Sequence, residues 1–221
     1  MSSAWVELKR KNRETVETAS SSYTDINFSS WAPGMKWYWF KIARLERWMI
    51  HDVKSVIHNG KSYWGLGALI TIGIDTLSKF RYGYSEKPDI ERNSFQKFLE
   101  VYISPKFKKT IKNPFRKPNL KGLGSWFYKP SNLKYSEIFF FGFRNYLVHR
   151  FCFRYNFLID PQDHFLRWKP QKLILSIDAR RLLVNFEDGV RKYMRVMEKS
   201  NVGNEIYDNF FKMFSGTFEV Y

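Results

Sequence analysis

Apolar positions in this chain recur mostly at helical spacing. From Lys36 to Ile57 there is no Pro or Gly, and Phe40, Leu45, Trp48, Met49, Val53, Val56 and Ile57 fall at three- and four-residue intervals. The spacing predicts a helix, and Asn59-Gly60 ends it. A second helix is expected from about Ser62 to Phe80. It is apolar almost all round and therefore central, with Gly65, Gly67 and Gly73 thinning its surface for a close neighbour. A third covers about Glu91 to Ile103, carries Phe95, Phe98, Leu99 and Tyr102 on one face, and stops at Pro105. A fourth starts near Ser131 or Asn132, either of which can cap it, and reaches about Tyr155.

Period-two patterning appears once. After Asp160-Pro161, His164 to Trp168 and Lys172 to Ile177 read as two strands of a hairpin turning at Lys169-Pro170-Gln171. Asp178 then caps a long helix to about Lys199, and Val202-Gly203 separates it from a last aromatic helix, Glu205 to Phe214. The fold class is all-α, a helical bundle with one small β-hairpin at about 164–177. Residues 1–33 are rich in Ser, Thr and charge and read as a polar arm, with Trp5, Tyr23 and Trp31 as docking points. Pro33-Gly34 punctuates the chain, and residues 34–221 form a single domain.

Composition adds a partner class. With 37 Lys+Arg against 21 Asp+Glu the net charge is +16 over 221 residues, which draws polyanions at long range. Aromatic residues make up 19 % of the chain. Most of these rings belong in the core, where aromatic burial dominates packing, and a minority beside basic residues suits base stacking. Cys152 is the sole cysteine, so no intrachain disulfide forms. Met1 to Thr18 lacks the apolar core of a secretory signal, and Trp64 to Leu77 is too short to span a bilayer and contains Asp75. A soluble cytoplasmic protein without membrane insertion is expected.

Residues 106–132 concentrate the charge. Lys106, Lys108, Lys109, Lys112, Arg116, Lys117, Lys121 and Lys129 lie among Phe107, Phe115, Trp126 and Phe127, broken by Pro114, Pro118 and Pro130. The prolines argue against a regular element. A basic, aromatic loop of this kind is the candidate nucleic-acid-binding surface.

The residues with the sharpest chemistry are Arg144, Asn145 and His149, near the end of the fourth helix. At about 100° per residue Asn145 and His149 share one stripe, and Arg144 reaches in from the side. Histidine titrates near neutrality and can exchange a proton. Arginine can grip phosphate oxygens in a fork and stabilise a phosphorane. The asparagine can orient a hydroxyl or the imidazole. One histidine is half of an acid–base pair, so the chemistry calls for a second copy of the chain.

An Arg-Asn-x-x-x-His segment on an apolar helix of a small helical chain resembles the HEPN superfamily (higher eukaryotes and prokaryotes nucleotide-binding). The likeness covers about residues 64–155. It includes the apolar run Gly67 to Asp75, which ends in an Ile-Asp pair, and the Phe95-Gln96-Lys97-Phe98-Leu99 and Tyr102 helix. The resemblance implies a helical bundle, a homodimer through the motif helices, and metal-independent endoribonuclease activity in which a 2′-hydroxyl attacks the adjacent phosphate. Arg144, Asn145 and His149 match the motif residue by residue. Arg150 and Phe151-Cys152-Phe153 depart from it, since the prokaryotic branch is acidic or polar after the histidine. Some members of the superfamily serve only as binding or dimerisation modules. RNA and a second copy are therefore the expected partners, with a cognate inhibitor protein as a further candidate.

Other groupings carry less. His51-Asp52 lacks the preceding histidine of a metal-dependent phosphohydrolase and reads as a helix-surface pair. His58 is too far from His51 to share a metal, and His164 belongs to the hairpin. Gly65-Leu66-Gly67 lacks the third glycine of a dinucleotide fingerprint. No spacing suggests a metal site, and no cofactor is expected. Arg180-Arg181, Arg191-Lys192 and Arg195 form the basic outer face of the long amphipathic helix.

Overall fold

Among the described residues six helical segments make up most of the fold. The computed structural model describes residues 27–60, 63–113, 131–145, 157–160, 163–172 and 174–219. The first rod, α1, runs through Pro33–Trp39, π-helical turns over Phe40–Asp52, and Val53–Gly60. Pro33, expected to punctuate the chain ahead of a helix from Lys36, is the first residue of that helix. At the first helical position a missing N–H costs nothing and the fixed φ suits the helix. The described end of the polar arm, from Asn27, packs through a residue the sequence did not single out. Phe28 is buried against Trp39, Phe214 and Phe218, with the half-buried Trp31 edge-on to it. Trp5 and Tyr23 lie outside the described residues.

Helix α2, Tyr63–Tyr82, is the central element, packed by α1, α3, α5 and α6. Its glycines admit large side chains from neighbours. A Cβ on Gly67 would stand 2.5 Å from Ile159 Cδ1, and one on Gly73 would stand 2.6 Å from the Phe186 ring. Helix α3 is Pro88–Phe98 continued by π-helical Leu99–Ile103. Helix α4, Tyr135–Phe139, continues through a π-helical turn, Phe140–Arg144, into Asn145. It starts three to four residues later than expected. Lys134 is the N-cap position, where Glu137 accepts from its backbone N–H at 2.7 Å. The expected remainder of this helix, to Tyr155, lies outside the described residues. Helices α5, Ala179–Glu198, and α6, Glu205–Phe218, follow; Asp178 caps α5 by accepting from Arg181 N–H at 2.6 Å, as the sequence suggested.

The β content exceeds a single hairpin. Two short strands, β1 (Thr110–Lys112) and β2 (Asn132–Lys134), pair antiparallel. A three-stranded sheet in the order β3-β5-β4 joins Phe157–Asp160, Ile174–Asp178 and Leu166–Lys169. The β4–β5 pair is the expected hairpin, with strands at 166–169 and 174–178 rather than 164–168 and 172–177. The added strand β3 runs parallel to β5, with Ile159 opposite Ile177. The mainly helical architecture stands, with this sheet laid on α2 and α5.

The core is aromatic. Trp39, Phe40, Phe95, Phe98, Phe107, Phe139, Phe143, Phe186, Tyr193, Phe210 and Phe214 are all fully buried. Among the described residues no helix is long and apolar enough to cross a membrane.

Candidate functional site

Asp75 and Lys79 stand one turn apart on α2, and Lys79 Nζ lies 2.7 Å from Asp75 Oδ2. Two charges on the central helix of an aromatic core need partners, and two other helices supply them. Glu91, in the first turn of α3, has Oε1 3.3 Å from Lys79 Nζ. Its negative charge sits favourably against the positive end of the helix dipole. Arg144 closes the cluster from the π-helical turn of α4.

The Arg144 side chain is 7 % exposed and its donors are directed at named acceptors. Nε donates to Asp75 Oδ1 at 2.9 Å, Nη2 to Glu91 Oε1, and Nη1 to Asn145 Oδ1 at 3.1 Å. The guanidinium carbon sits 5.2 Å from the Phe140 ring centroid. Two cations, Arg144 and Lys79, face two carboxylates, Asp75 and Glu91, so the network is internally neutral. Such an arrangement repays desolvation only when the geometry and remaining hydrogen bonds are good, as they are here. The guanidinium therefore points between α2 and α3, and it holds the amide of the next residue.

Neither Lys79 nor Glu91 was singled out from sequence as part of the site. The signal was present in part, because Asp75 and Lys79 form an i, i+4 pair on an otherwise apolar helix. Asn145 is half-buried and fixed by Arg144. His149 lies outside the described residues, as does Cys152.

The basic segment divides in the same way. Lys106, Lys108, Lys109 and Lys112 are exposed, while Arg116, Lys117, Lys121 and Lys129 lie outside the described residues. Phe107, expected among the stacking rings of this loop, is fully buried, edge-on to Phe139 at 5.6 Å and Phe165 at 6.0 Å. The single helical turn Pro105–Lys108, capped by Ser104, turns the ring inward and the lysines outward. The β1–β2 pair brings the two ends of the connector together. Asn113 N–H donates to Ser131 O and Tyr135 N–H to Lys109 O, both at 2.9 Å. The connector is thus tied at Lys109 to Tyr135, the first residue of α4, which lies about 13 Å along the helix axis from Arg144 at 1.5 Å per residue.

His51 Nδ1 is 3.3 Å from Asp52 Oδ1 on an exposed helix face. His164 is tucked into the β3–β4 turn; burial, followed by the charges of Arg167 and Lys169, pushes its pKa down. The basic outer face of α5 is exposed at Arg180, Arg181, Arg191, Lys192 and Arg195. Among the described residues no three His, Cys, Asp or Glu side chains gather as a metal site.

No family model, no curated protein and no solved structure matches this chain.

Proposed function

We propose that this chain is an RNA-directed, HEPN-like protein that cleaves RNA without a metal at a composite site formed by two copies. The observation that carries the reading is the Asn145 amide, held 3.1 Å from Arg144 Nη1 while the same guanidinium is locked to Asp75 and Glu91. A side chain fixed by a buried network is preorganised, which a positioning group in catalysis requires. Asn145 orients the reacting hydroxyl or imidazole. His149 takes the proton of a 2′-hydroxyl as its oxygen bonds to the adjacent phosphorus. The partner's His149 gives a proton to the departing 5′-oxygen, leaving a 2′,3′-cyclic phosphate and a 5′-hydroxyl. Arg144 holds the motif helix and supplies positive charge near the phosphate, while the exposed lysines at 106–112 hold flanking phosphates.

The test uses purified protein and mixed RNA in EDTA, beside a His149→Ala variant. Cyclic-phosphate ends from the wild type and none from the variant are expected. Equal degradation by both overturns the catalytic reading.

A second reading is favoured by the neutrality of the network. A phosphate must compete with two carboxylates for Arg144, and a guanidinium so occupied serves structure as readily as chemistry. In that reading the chain is a non-catalytic nucleic-acid-binding or dimerisation module of the same fold. Salt-dependent RNA binding that survives His149→Ala, without cleavage by the wild type, selects it.

A further inference from the structure

The turn that follows α2 is built with more care than a connector needs. Gly83 ends the helix at φ +83°, the left-handed conformation that favours glycine. Asn209 of α6 donates from Nδ2 to Arg81 O at 3.3 Å, and its Oδ1 lies 3.2 Å from where a Gly83 Cβ would stand. A second helix therefore sets the direction in which the chain leaves α2. Two tyrosines flank that glycine, and the structure treats them oppositely. Tyr82 is half-buried, with the cationic groups of Lys97 and Arg81 at 4.7 Å and 4.9 Å from its ring centroid. Tyr84 is 57 % exposed and has no ring partner among the described residues. Its contact is the Lys79 ammonium, 5.9 Å from the ring centroid.

Lys79 is the link that matters, because it is also bound to Asp75 and Glu91, the two carboxylates that hold Arg144. An open aromatic face thus stands beside a cation of the candidate site, on a turn held from α6. An exposed cation–π contact contributes only about 0.5–1 kcal/mol, so Lys79 does not hold the ring closed and its open face stays free to take a second π-partner. A single-stranded nucleic acid presents the matching chemistry: a flat π-face next to a phosphate.

We propose that Tyr84 is a stacking platform for a nucleobase of single-stranded RNA lying at the Arg144 site, with Lys79 contacting the adjoining phosphate. This rests on the RNA-directed reading above and adds a base subsite to it. Stacking reads the π-face rather than base edges, so the subsite tolerates any base and requires an unpaired one.

The experiment measures binding of a fluorescent single-stranded RNA 12-mer by anisotropy in the His149→Ala background, with a base-free sugar–phosphate oligomer of equal length beside it. Tyr84→Phe is expected to bind like its parent, whereas Tyr84→Ala and Tyr84→Leu bind the 12-mer about 5- to 150-fold more weakly. The base-free oligomer should bind all four proteins equally. Circular dichroism melts establish that each variant is folded. If Tyr84→Ala and Tyr84→Leu bind the 12-mer as tightly as the parent, the stacking subsite is overturned and the RNA reading stands. If the parent shows no salt-dependent binding to either oligomer, both fall together.

Discussion

Arg144 Nε donates to Asp75 Oδ1 at 2.9 Å across 69 positions of sequence, and this bond ties the motif helix α4 to the central helix α2. The pair is buried enough that each partner depends on the other. Removing one leaves an uncompensated charge in a low-dielectric site, a loss of about 3–5 kcal/mol where nothing else compensates. Glu91 and Lys79 remain, so Arg144→Leu is expected to lose about 2–3 kcal/mol of unfolding free energy. Asp75→Leu should lose a similar amount, and Arg144→Leu/Asp75→Leu much less than the two added. A double-mutant cycle by urea denaturation should return a coupling of about 1–3 kcal/mol. Strict additivity would show that the observed contact carries no stability.

Glu91 separates the two readings of Arg144. Glu91→Gln removes one of the two carboxylates and leaves the cluster with one net positive charge. If Arg144 meets phosphate, RNA affinity should rise and the slope of log K against log[KCl] should steepen by about 0.7 for one further phosphate contact on a single strand. An unchanged slope, in a variant that melts cooperatively, assigns Arg144 to structure alone.

The glycines that admit neighbouring helices are not equivalent. A Cβ on Gly189 of α5 would stand 2.8 Å from the Tyr102 carbonyl oxygen, which is backbone and cannot step aside. On Gly67 it would meet two side chains, the end of Ile159 at 2.5 Å, which can rotate, and the buried Phe143 ring at 3.0 Å. Replacing Gly by Ala in a helix gains about 1 kcal/mol of propensity, and overpacking costs about 1–3 kcal/mol. Gly67→Ala is therefore expected to cost less than Gly189→Ala, which is destabilised by about 1–2 kcal/mol. Guanidinium midpoints order the two, and the reverse order would contradict the packing described.

The helices were legible because apolar periodicity is a local property, and the cap of α5 (Asp178) follows from chemistry alone. What escaped was set by approach between distant segments. Phe157 to Asp160 follows directly on a stretch read as helix, and its pairing with β5 gives no local sign. Phe107 sits among lysines and reads as a solvated ring, yet its inward turn depends on Phe139 and Phe165. The Arg144 site shows the same limit. Asp75 and Lys79 advertise a charged patch on an apolar helix, but Glu91 joins them only through the crossing of α2 and α3.

His164 gives the fold a slope on the acid side. Its pKa is lowered from the ordinary 6.5, first by burial and then by Arg167 and Lys169, with Asp163 partly opposing. Below pH 6.5 the unfolded chain binds a proton that the folded chain resists, so the unfolded state holds more protons and stability rises with pH. Equivalently, stability present above 6.5 is lost as pH falls towards the folded value. His164→Gln should flatten this dependence between pH 7.5 and 5.5 in urea midpoints. A wild-type midpoint that does not fall over this interval would show that the imidazole titrates freely.

Lys106, Lys108, Lys109 and Lys112 offer the most direct measure of the polyanion surface. All four are exposed; Lys106 and Lys108 lie on a turn fixed from below by Phe107, Lys109 follows it and Lys112 lies on β1, which β2 holds from the side, so replacing their heads with amides leaves the packing intact. On single-stranded RNA each phosphate contact contributes about 0.7 to the salt slope, so a fourfold Lys→Gln variant should lower it by about 3 if all four engage. The loss should be uniform across RNA sequences, since ammonium–phosphate contacts position a strand without reading its bases. If the chain cleaves RNA as proposed, cleavage at saturating RNA should persist, because the substitutions stand at the end of α4 remote from Arg144. An unchanged salt slope would move the phosphate track elsewhere, and the exposed arginines of α5, Arg180, Arg181, Arg191 and Arg195, would be the next to substitute.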